Sequence, residues 1–141
     1  MLRLVLDTNV VLDLFHWADV DAAPIKAALE AGRAECLADE RTLAELRRVL
    51  TYPQLRLTAE MVAECYARYA ALARHVPVDA APELPRCRDP DDQKFIELAA
   101  RAHADMLVSK DKALLQLRGR SRLAFRILSP VAAAAELALP A

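Results

Sequence analysis

Acidic side chains at the ends of predicted strands and helices are the groups of this chain whose positions suit joint chemistry. Asp7 and Asp111 each follow an apolar segment that is typical of a strand buried on both faces. Asp92 opens a predicted helix, and Glu45 lies within an amphipathic one. Because ligands bind where the carboxyl ends of parallel strands meet, we expect these acids to converge at one edge of a sheet. Converging carboxylates repel one another, so they predict an oxygen-seeking cation such as Mg²⁺ or Mn²⁺.

Each acid also has a purely structural interpretation, which the local sequence leaves open. Asp7 and Asp111 both stand where a helix N-cap is expected. Glu45 reads locally as an exposed helix residue that pairs with Arg41 or Arg48. A third acidic group consists of Asp89, Asp91 and Asp92. These residues could simply form the charged first turn of a helix. The metal hypothesis therefore depends on the acids being brought together.

Alternating strands and helices are the elements that must position these acids. Short apolar segments predict strands at 2–6, 34–37, 106–108 and 124–128. Helical spacing with caps predicts helices near 10–15, 22–32, 39–50, 58–74, 91–102, 112–117 and 131–139. The segment 75–90 contains four prolines and is predicted to be the main irregular connection. The pattern predicts a single α/β domain, residues 1–141, with three layers (α/β/α) and a central parallel sheet of about four to five short strands.

Composition excludes several other kinds of site. With two glycines, the chain holds neither of the glycine-rich loops that cradle phosphates. Three widely spaced cysteines and the scattered histidines His16, His75 and His103 suit neither a disulfide framework nor a zinc site. The net charge of −1 argues against binding of nucleic acid through a bulk positive field. The pattern of cysteines favours the reducing cytoplasm. No apolar run approaches the roughly 20 residues of a membrane span, so we expect a soluble protein.

Four segments of the chain resemble, in order and spacing, the four signature blocks of PIN domains. They are VLDTNV at 5–10, LAELRRVL at 43–50, CRDPDDQKFIELA at 87–99 and LVSKDKALL at 107–115. The third block is most similar to a prokaryotic subgroup described as toxin components of toxin–antitoxin pairs, the VapC-like ribonucleases. The resemblance extends over nearly the whole chain, and it implies a metal-dependent ribonuclease on a parallel sheet flanked by helices.

The resemblance also implies roles for particular residues. The family's acidic quartet, which binds Mg²⁺ or Mn²⁺ and carries the catalysis, is matched by Asp7, Glu45, Asp92 and Asp111. Polar positions that orient the metal ligands and metal-bound water are matched by Thr8, Asn9 and Ser109. Within the third block, Asp89 and Asp91 are further acids that can share the site. The implied products carry a 5′-phosphate and a free 3′-hydroxyl.

Basic residues around the acids are candidates for binding the RNA phosphates. These residues are Arg86, Arg88, Lys110, Arg118 and Arg120. Lys110 is a departure from the family, which often has glycine before its last acid, and it would either contact a phosphate or compete with the metal ion. The resemblance further implies a small antitoxin protein as partner, and a homodimer to which the apolar surface of the helix at 58–74 would contribute.

Two functions other than a ribonuclease share parts of this pattern. An aspartyl-nucleophile phosphatase of the haloacid-dehalogenase type also begins with a strand that ends on an aspartate. That type needs a second acid two residues later, where Asn9 stands, so the sequence disfavours it. A catalytically silent PIN scaffold that binds RNA or a protein remains the alternative, and the intact quartet favours the enzyme over it.

Overall fold

A five-stranded parallel sheet forms the centre of the protein. The computed structural model describes residues 1–79, 84–119 and 123–138. The strands are β1 (Leu2–Leu6), β2 (Ala34–Ala38), β3 (Arg74–His75), β4 (Met106–Val108) and β5 (Arg126–Leu128). Their order is β3-β2-β1-β4-β5, and every neighbouring pair is parallel. All five carboxyl ends therefore lie at one edge of the sheet, with β1 in the middle.

Helices follow the strands along the described part of the chain. They are α1 (Thr8–Phe15), α2 (Ala23–Glu30), α3 (Glu40–Leu50), α4 (Ala59–Leu72), α5 (Gln93–Arg101), α6 (Lys112–Leu115) and α7 (Pro130–Leu137). Short 3-10 turns lie at Val20–Ala22, Pro53–Leu55 and Pro90–Asp92. Within the described ranges, no helix is long and apolar enough to cross a membrane.

Alternate residues of the central strands enter two separate hydrophobic cores. On β1, Leu4 and Leu6 pack into one core, whereas Val5 packs into the other. The first core is covered by α1, α2, α3, α4 and α7, and the second by α5 and α6. Because side chains alternate along a strand, burial on both faces requires a helical layer on each side. The structure thus has the three-layer α/β/α fold that the sequence predicts, and both cores support the carboxyl end of β1.

The edge strand β3 is the main element that the sequence prediction missed. The helix predicted at 58–74 ends at Leu72, and Arg74 and His75 pair in parallel with Leu37 and Ala38 of β2. Both β3 residues are exposed and polar, so no apolar pattern marks them as a strand. Backbone pairing with β2, which is a long-range contact, determines this element.

Several predicted boundaries were also wrong. Asp39 caps α3 from outside, and the helix predicted at 91–102 is a 3-10 turn followed by α5. The helix predicted at 112–117 ends at Leu115, and the last strand begins at Arg126 rather than at 124. The final helix begins at Pro130 and ends at Leu137, with Ala138 as its C-cap; residue 139, where the prediction ended it, lies outside the described residues. Capping groups and 3-10 geometry account for most of these shifts of one to three residues.

Candidate metal centre

Asp7 lies at the carboxyl end of the central strand and makes two different contacts. Its Oδ1 accepts a hydrogen bond from the backbone N of Val10 at 3.1 Å, so the residue does cap α1. Its Oδ2 accepts from the hydroxyl of Ser109, which follows β4. The side chain is almost fully enclosed, since the residue is 4% exposed. Asp7 is therefore both a helix cap and a buried acid that faces the end of the neighbouring strand.

Ser109 links Asp7 to the next acid along the edge. Its Oγ donates to Asp7 and accepts the backbone N–H of Asp111 at 2.9 Å. Asp111 in turn caps α6 through Oδ1, which accepts from the N of Ala113 at 2.8 Å. Ser109 has no exposed surface, so its hydroxyl fixes the two acids relative to each other. The predicted orienting position is thus occupied by a residue with contacts suited to that role.

Asp92 and Asp89 approach Asp111 from the start of α5. One carboxylate oxygen of each of these three residues lies within 4.8 Å of the others. Oδ2 of Asp92 is buried and meets no N–H or O–H donor among the residues that the structure describes. Asp89 uses Oδ1 to accept from the N of Asp91 at 3.0 Å, while Asp91 itself is exposed. A carboxylate oxygen buried beside other carboxylates, without a donor, needs either a proton or a metal ion.

The electrostatics of the site show the same need for a cation. Burial, opposed by the hydrogen bond from Ser109, raises the pKa of Asp7 from 3.8 to about 6. Burial and the contact with Asp111 raise the pKa of Asp92 from 3.8 to about 8. The negative charges of Asp89 and Asp7 add to the upward shift of the Asp92 pKa. Near neutral pH, Asp92 therefore keeps its proton unless a positive charge replaces it, whereas Asp7 keeps its proton only up to about pH 6.

Glu45 lies beside this cluster, but both of its oxygens already have partners. Oε2 accepts from the hydroxyl of Thr8, the residue after Asp7. Oε1 lies 2.6 Å from Nζ of Lys94 and 3.8 Å from Nη2 of Arg48. The pairing with Arg48 was one of the two predicted from the local sequence. The other predicted partner, Arg41, bonds Glu97 instead, at 2.9 Å.

The remaining predicted site residues differ in their surroundings. Lys110 forms an ion pair with Asp13 of α1, with 2.7 Å between Nζ and Oδ2. Arg118 is exposed, and its Nε donates to the carbonyl of Leu115 at 3.0 Å. Three further predicted positions are exposed, namely Asn9, Arg86 and Arg88. Arg120 lies outside the described residues. The assignment of these residues to RNA or metal binding stays a prediction.

Sequence reasoning missed two residues next to the acids, Lys94 and Asp13. Lys94 bonds Glu45 across 49 sequence positions, a contact that no local pattern reveals. Asp13 did carry a signal, because it is a single acid among the apolar residues of α1, and it is 4% exposed. A buried acid requires a compensating partner, and Lys110 supplies the positive charge.

The donor set at this edge fits a hard divalent cation. The clustered groups are carboxylates, and Mg²⁺ and Mn²⁺ prefer oxygen ligands. His16, His75 and His103 do not belong to the cluster. Asp92 Oδ2, buried without a donor, is the position that gains most from a bound cation.

Comparison with known families agrees with this geometry. The sequence model of the PIN domain family matches residues 3–113, a range that contains all four acids of the predicted quartet. The chain therefore belongs to the PIN domain family. PIN domains are generally metal-dependent nucleases, so the fold and the acidic cluster are those of a nuclease-type protein. No curated protein sequence matches the chain.

Proposed function

We propose that this protein is a ribonuclease that hydrolyses RNA phosphodiester bonds with the help of Mg²⁺ or Mn²⁺. The observation that supports this most is the carboxylate cluster of Asp89, Asp92 and Asp111 beside the buried Asp7. Membership of the PIN domain family adds the expectation of nuclease chemistry. A catalytically silent scaffold would not need four acids at the carboxyl edge of its sheet, two of them with raised pKa values.

The chain's own residues would hold and orient the reacting groups. Asp7, Asp92 and Asp111 would bind the ion, which supplies a Lewis acid and an activated water. Ser109 fixes the carboxylate of Asp7 and the backbone of Asp111, so the ligands are held in place before the ion binds. Thr8 holds Glu45 next to the cluster. The expected products carry a 5′-phosphate and a free 3′-hydroxyl.

Phosphate binding would come from the exposed arginines near the acids. Arg86 and Arg88 lie just before the 3-10 turn that carries Asp92, and both are exposed. Their guanidinium groups would attract the RNA backbone to the acidic cluster. Because the net charge of the chain is −1, such binding depends on local charge and should weaken with salt.

We further propose that the protein is the toxin of a type II toxin–antitoxin pair. The similarity of the third sequence block to that subgroup supports this role. A small antitoxin would then cover the acidic edge, and a homodimer would form with α4 at the interface, where Met61 is exposed. Cytoplasmic location is part of this proposal, and the three buried free cysteines are compatible with a reducing compartment. A gene for a short DNA-binding protein next to this one would support the toxin role.

The central experiment measures cleavage of single-stranded RNA by purified wild type in Mg²⁺ or Mn²⁺, with and without EDTA. Asp7→Asn is the test variant, and Asp21→Asn, an exposed residue of the first 3-10 turn, is the matched control. We expect the control to cleave like the wild type and Asp7→Asn to be folded but inactive. Cleavage that persists in EDTA, or unchanged cleavage by Asp7→Asn, would contradict the proposal. RNA binding without cleavage would favour the silent scaffold.

A further inference from the structure

Glu45 differs from the aspartates of this edge because it is already held in a close ion pair with a lysine. Lys94 Nζ lies 2.6 Å from Oε1, and the Thr8 hydroxyl donates to Oε2. The pair is largely enclosed, since the side chains of Lys94 and Glu45 are 18% and 11% exposed. To coordinate an ion directly, Glu45 would have to break a close, mostly buried ion pair, which is costly. Its partners therefore identify Glu45 as a residue that holds a cation of the chain.

The charges of this edge divide into two groups. Glu45 pairs with Lys94, and the nearby buried Asp13 pairs with Lys110. The second group consists of Asp7, Asp89, Asp92 and Asp111. No lysine or arginine of the described ranges lies within 4.0 Å of a carboxylate of these residues. Among the described residues, the acids of the second group thus have no ion-pair partner, whereas each acid of the first group has one.

Lys94 lies in a suitable place to meet a phosphate that is bound at the second group. It is in the first turn of α5, two residues after Asp92, and its partner Glu45 is bonded to the neighbour of Asp7. An ammonium has three N–H donors, and Glu45 is the carboxylate that it bonds here. The donors that remain, on a side chain with some exposed surface, can serve an anionic ligand.

We infer that Lys94 is the second cation of this centre: the site takes one divalent ion at Asp7, Asp92 and Asp111, and the ammonium of Lys94, held by Glu45, binds the scissile phosphate. This inference rests on the proposed nuclease function. The ammonium would contribute positive charge where the substrate gathers negative charge, which a second metal ion does in two-metal nucleases. It would also repel a second ion from Glu45. Lys94 is then a phosphate-binding residue, and Glu45 is the residue that positions it.

The test combines metal binding with kinetics. Mn²⁺ titration of the RNA-free wild type should give one ion per chain. Lys94→Met should bind the first Mn²⁺ with affinity within threefold of wild type, and it should gain a weaker second ion because Glu45 is released. Its kcat should fall at least tenfold, roughly the loss of one charge-assisted contact in the transition state. Lys94→Arg should restore part of kcat, and Lys26→Met on α2 is the control with unchanged values.

Several results would overturn the inference. Two Mn²⁺ ions bound by the RNA-free wild type would show that Lys94 does not replace an ion. Equal kcat in Lys94→Met and wild type would show that the ammonium does not contact the phosphate. A loss of kcat in both Lys94→Met and Lys94→Arg, accompanied by loss of Mn²⁺ binding, would mean that Lys94 only maintains the local structure. If the wild type cleaves no RNA, the proposed function itself fails. If the wild type cleaves RNA and Lys94→Met cleaves it equally well, only the inference about Lys94 is refuted.

Discussion

Replacing Asp7 by asparagine should make the stability of the metal-free protein less dependent on pH while removing its response to metal ions. Burial raises the pKa of Asp7 from 3.8 to about 6. The folded protein therefore binds this proton more tightly than the unfolded chain does. The stabilisation that this proton contributes is fully present below the unfolded pKa of about 4. It is lost as pH rises through about 6, where the carboxyl of Asp7 ionises in the folded protein. Asparagine keeps an oxygen for the N–H of Val10 but carries no charge.

The size of the effect follows from the shift in pKa. A shift of about two units corresponds to about 3 kcal/mol between the protonation states at high pH. A small part of this contribution is already lost near pH 4. Between about pH 4 and pH 8, the free energy of unfolding should therefore fall by about 2 kcal/mol more for wild type than for Asp7→Asn. For a chain of this length that is a difference of roughly 6–10 °C in melting temperature. The altered hydrogen bond with Ser109 acts at every pH and cancels in this comparison.

Thermal melts from about pH 4 to pH 8, in EDTA and in excess Mg²⁺, measure the effect. In EDTA, the melting temperature of wild type should fall with pH more steeply than that of Asp7→Asn. At the high end of the range, Mg²⁺ should raise the melting temperature of wild type and leave Asp7→Asn nearly unchanged. Parallel pH curves for the two proteins, or equal stabilisation of both by Mg²⁺, would refute the argument that Asp7 is a buried, metal-responsive acid.

Three further predictions concern metal affinity and the supporting structure. The affinity for Mn²⁺ should rise at least tenfold from about pH 5.5 to pH 8.5, because Asp7 and Asp92 must lose protons before they bind the ion. Calorimetry should also show that protons are released on binding. An affinity independent of pH would contradict this. Ser109→Ala should fold and bind Mn²⁺ about tenfold more weakly, measured by titration, because its hydroxyl orients Asp7; unchanged affinity would show that the contact is dispensable. Asp39→Ala should lower the free energy of unfolding, measured in urea, by about 3–5 kcal/mol because Arg101 would lose its partner. The side chain of Arg101 is 7% exposed, and its Nη2 lies 2.7 Å from Oδ2 of Asp39. A loss below about 1 kcal/mol would show that the buried pair contributes little.

The fold and the acids at strand ends could be predicted because both depend on local signals. Apolar segments that end on Asp7 and near Asp111 specify buried strands, and the alternation with helices specifies a parallel sheet. Parallel strands share one carboxyl edge, so the neighbourhood of these acids follows from topology. The strand β3 escaped prediction because its two exposed residues depend on backbone pairing with β2.

The partners of the acids could not be predicted, because they come from distant parts of the chain. Ser109 and Asp7 are 102 positions apart, and Lys94 and Glu45 are 49 apart. Sequence alone assigned Glu45 the same role as the aspartates, whereas the structure shows it bonded to Thr8 and Lys94. The pair of Lys94 and Glu45 requires α3 to pack against α5, and the contact of Ser109 with Asp7 requires β4 to pair with β1.

The most direct test of the metal centre is anomalous diffraction from crystals grown with Mn²⁺ and no RNA. We predict one Mn²⁺ peak per chain, about 2.1 Å from carboxylate oxygens of Asp7, Asp92 and Asp111, with Lys94 still bonded to Glu45. Absence of a peak at saturating Mn²⁺, or a peak that leaves Asp7 and Asp92 without a ligand contact, would contradict the assignment of this edge as the metal centre of a nuclease.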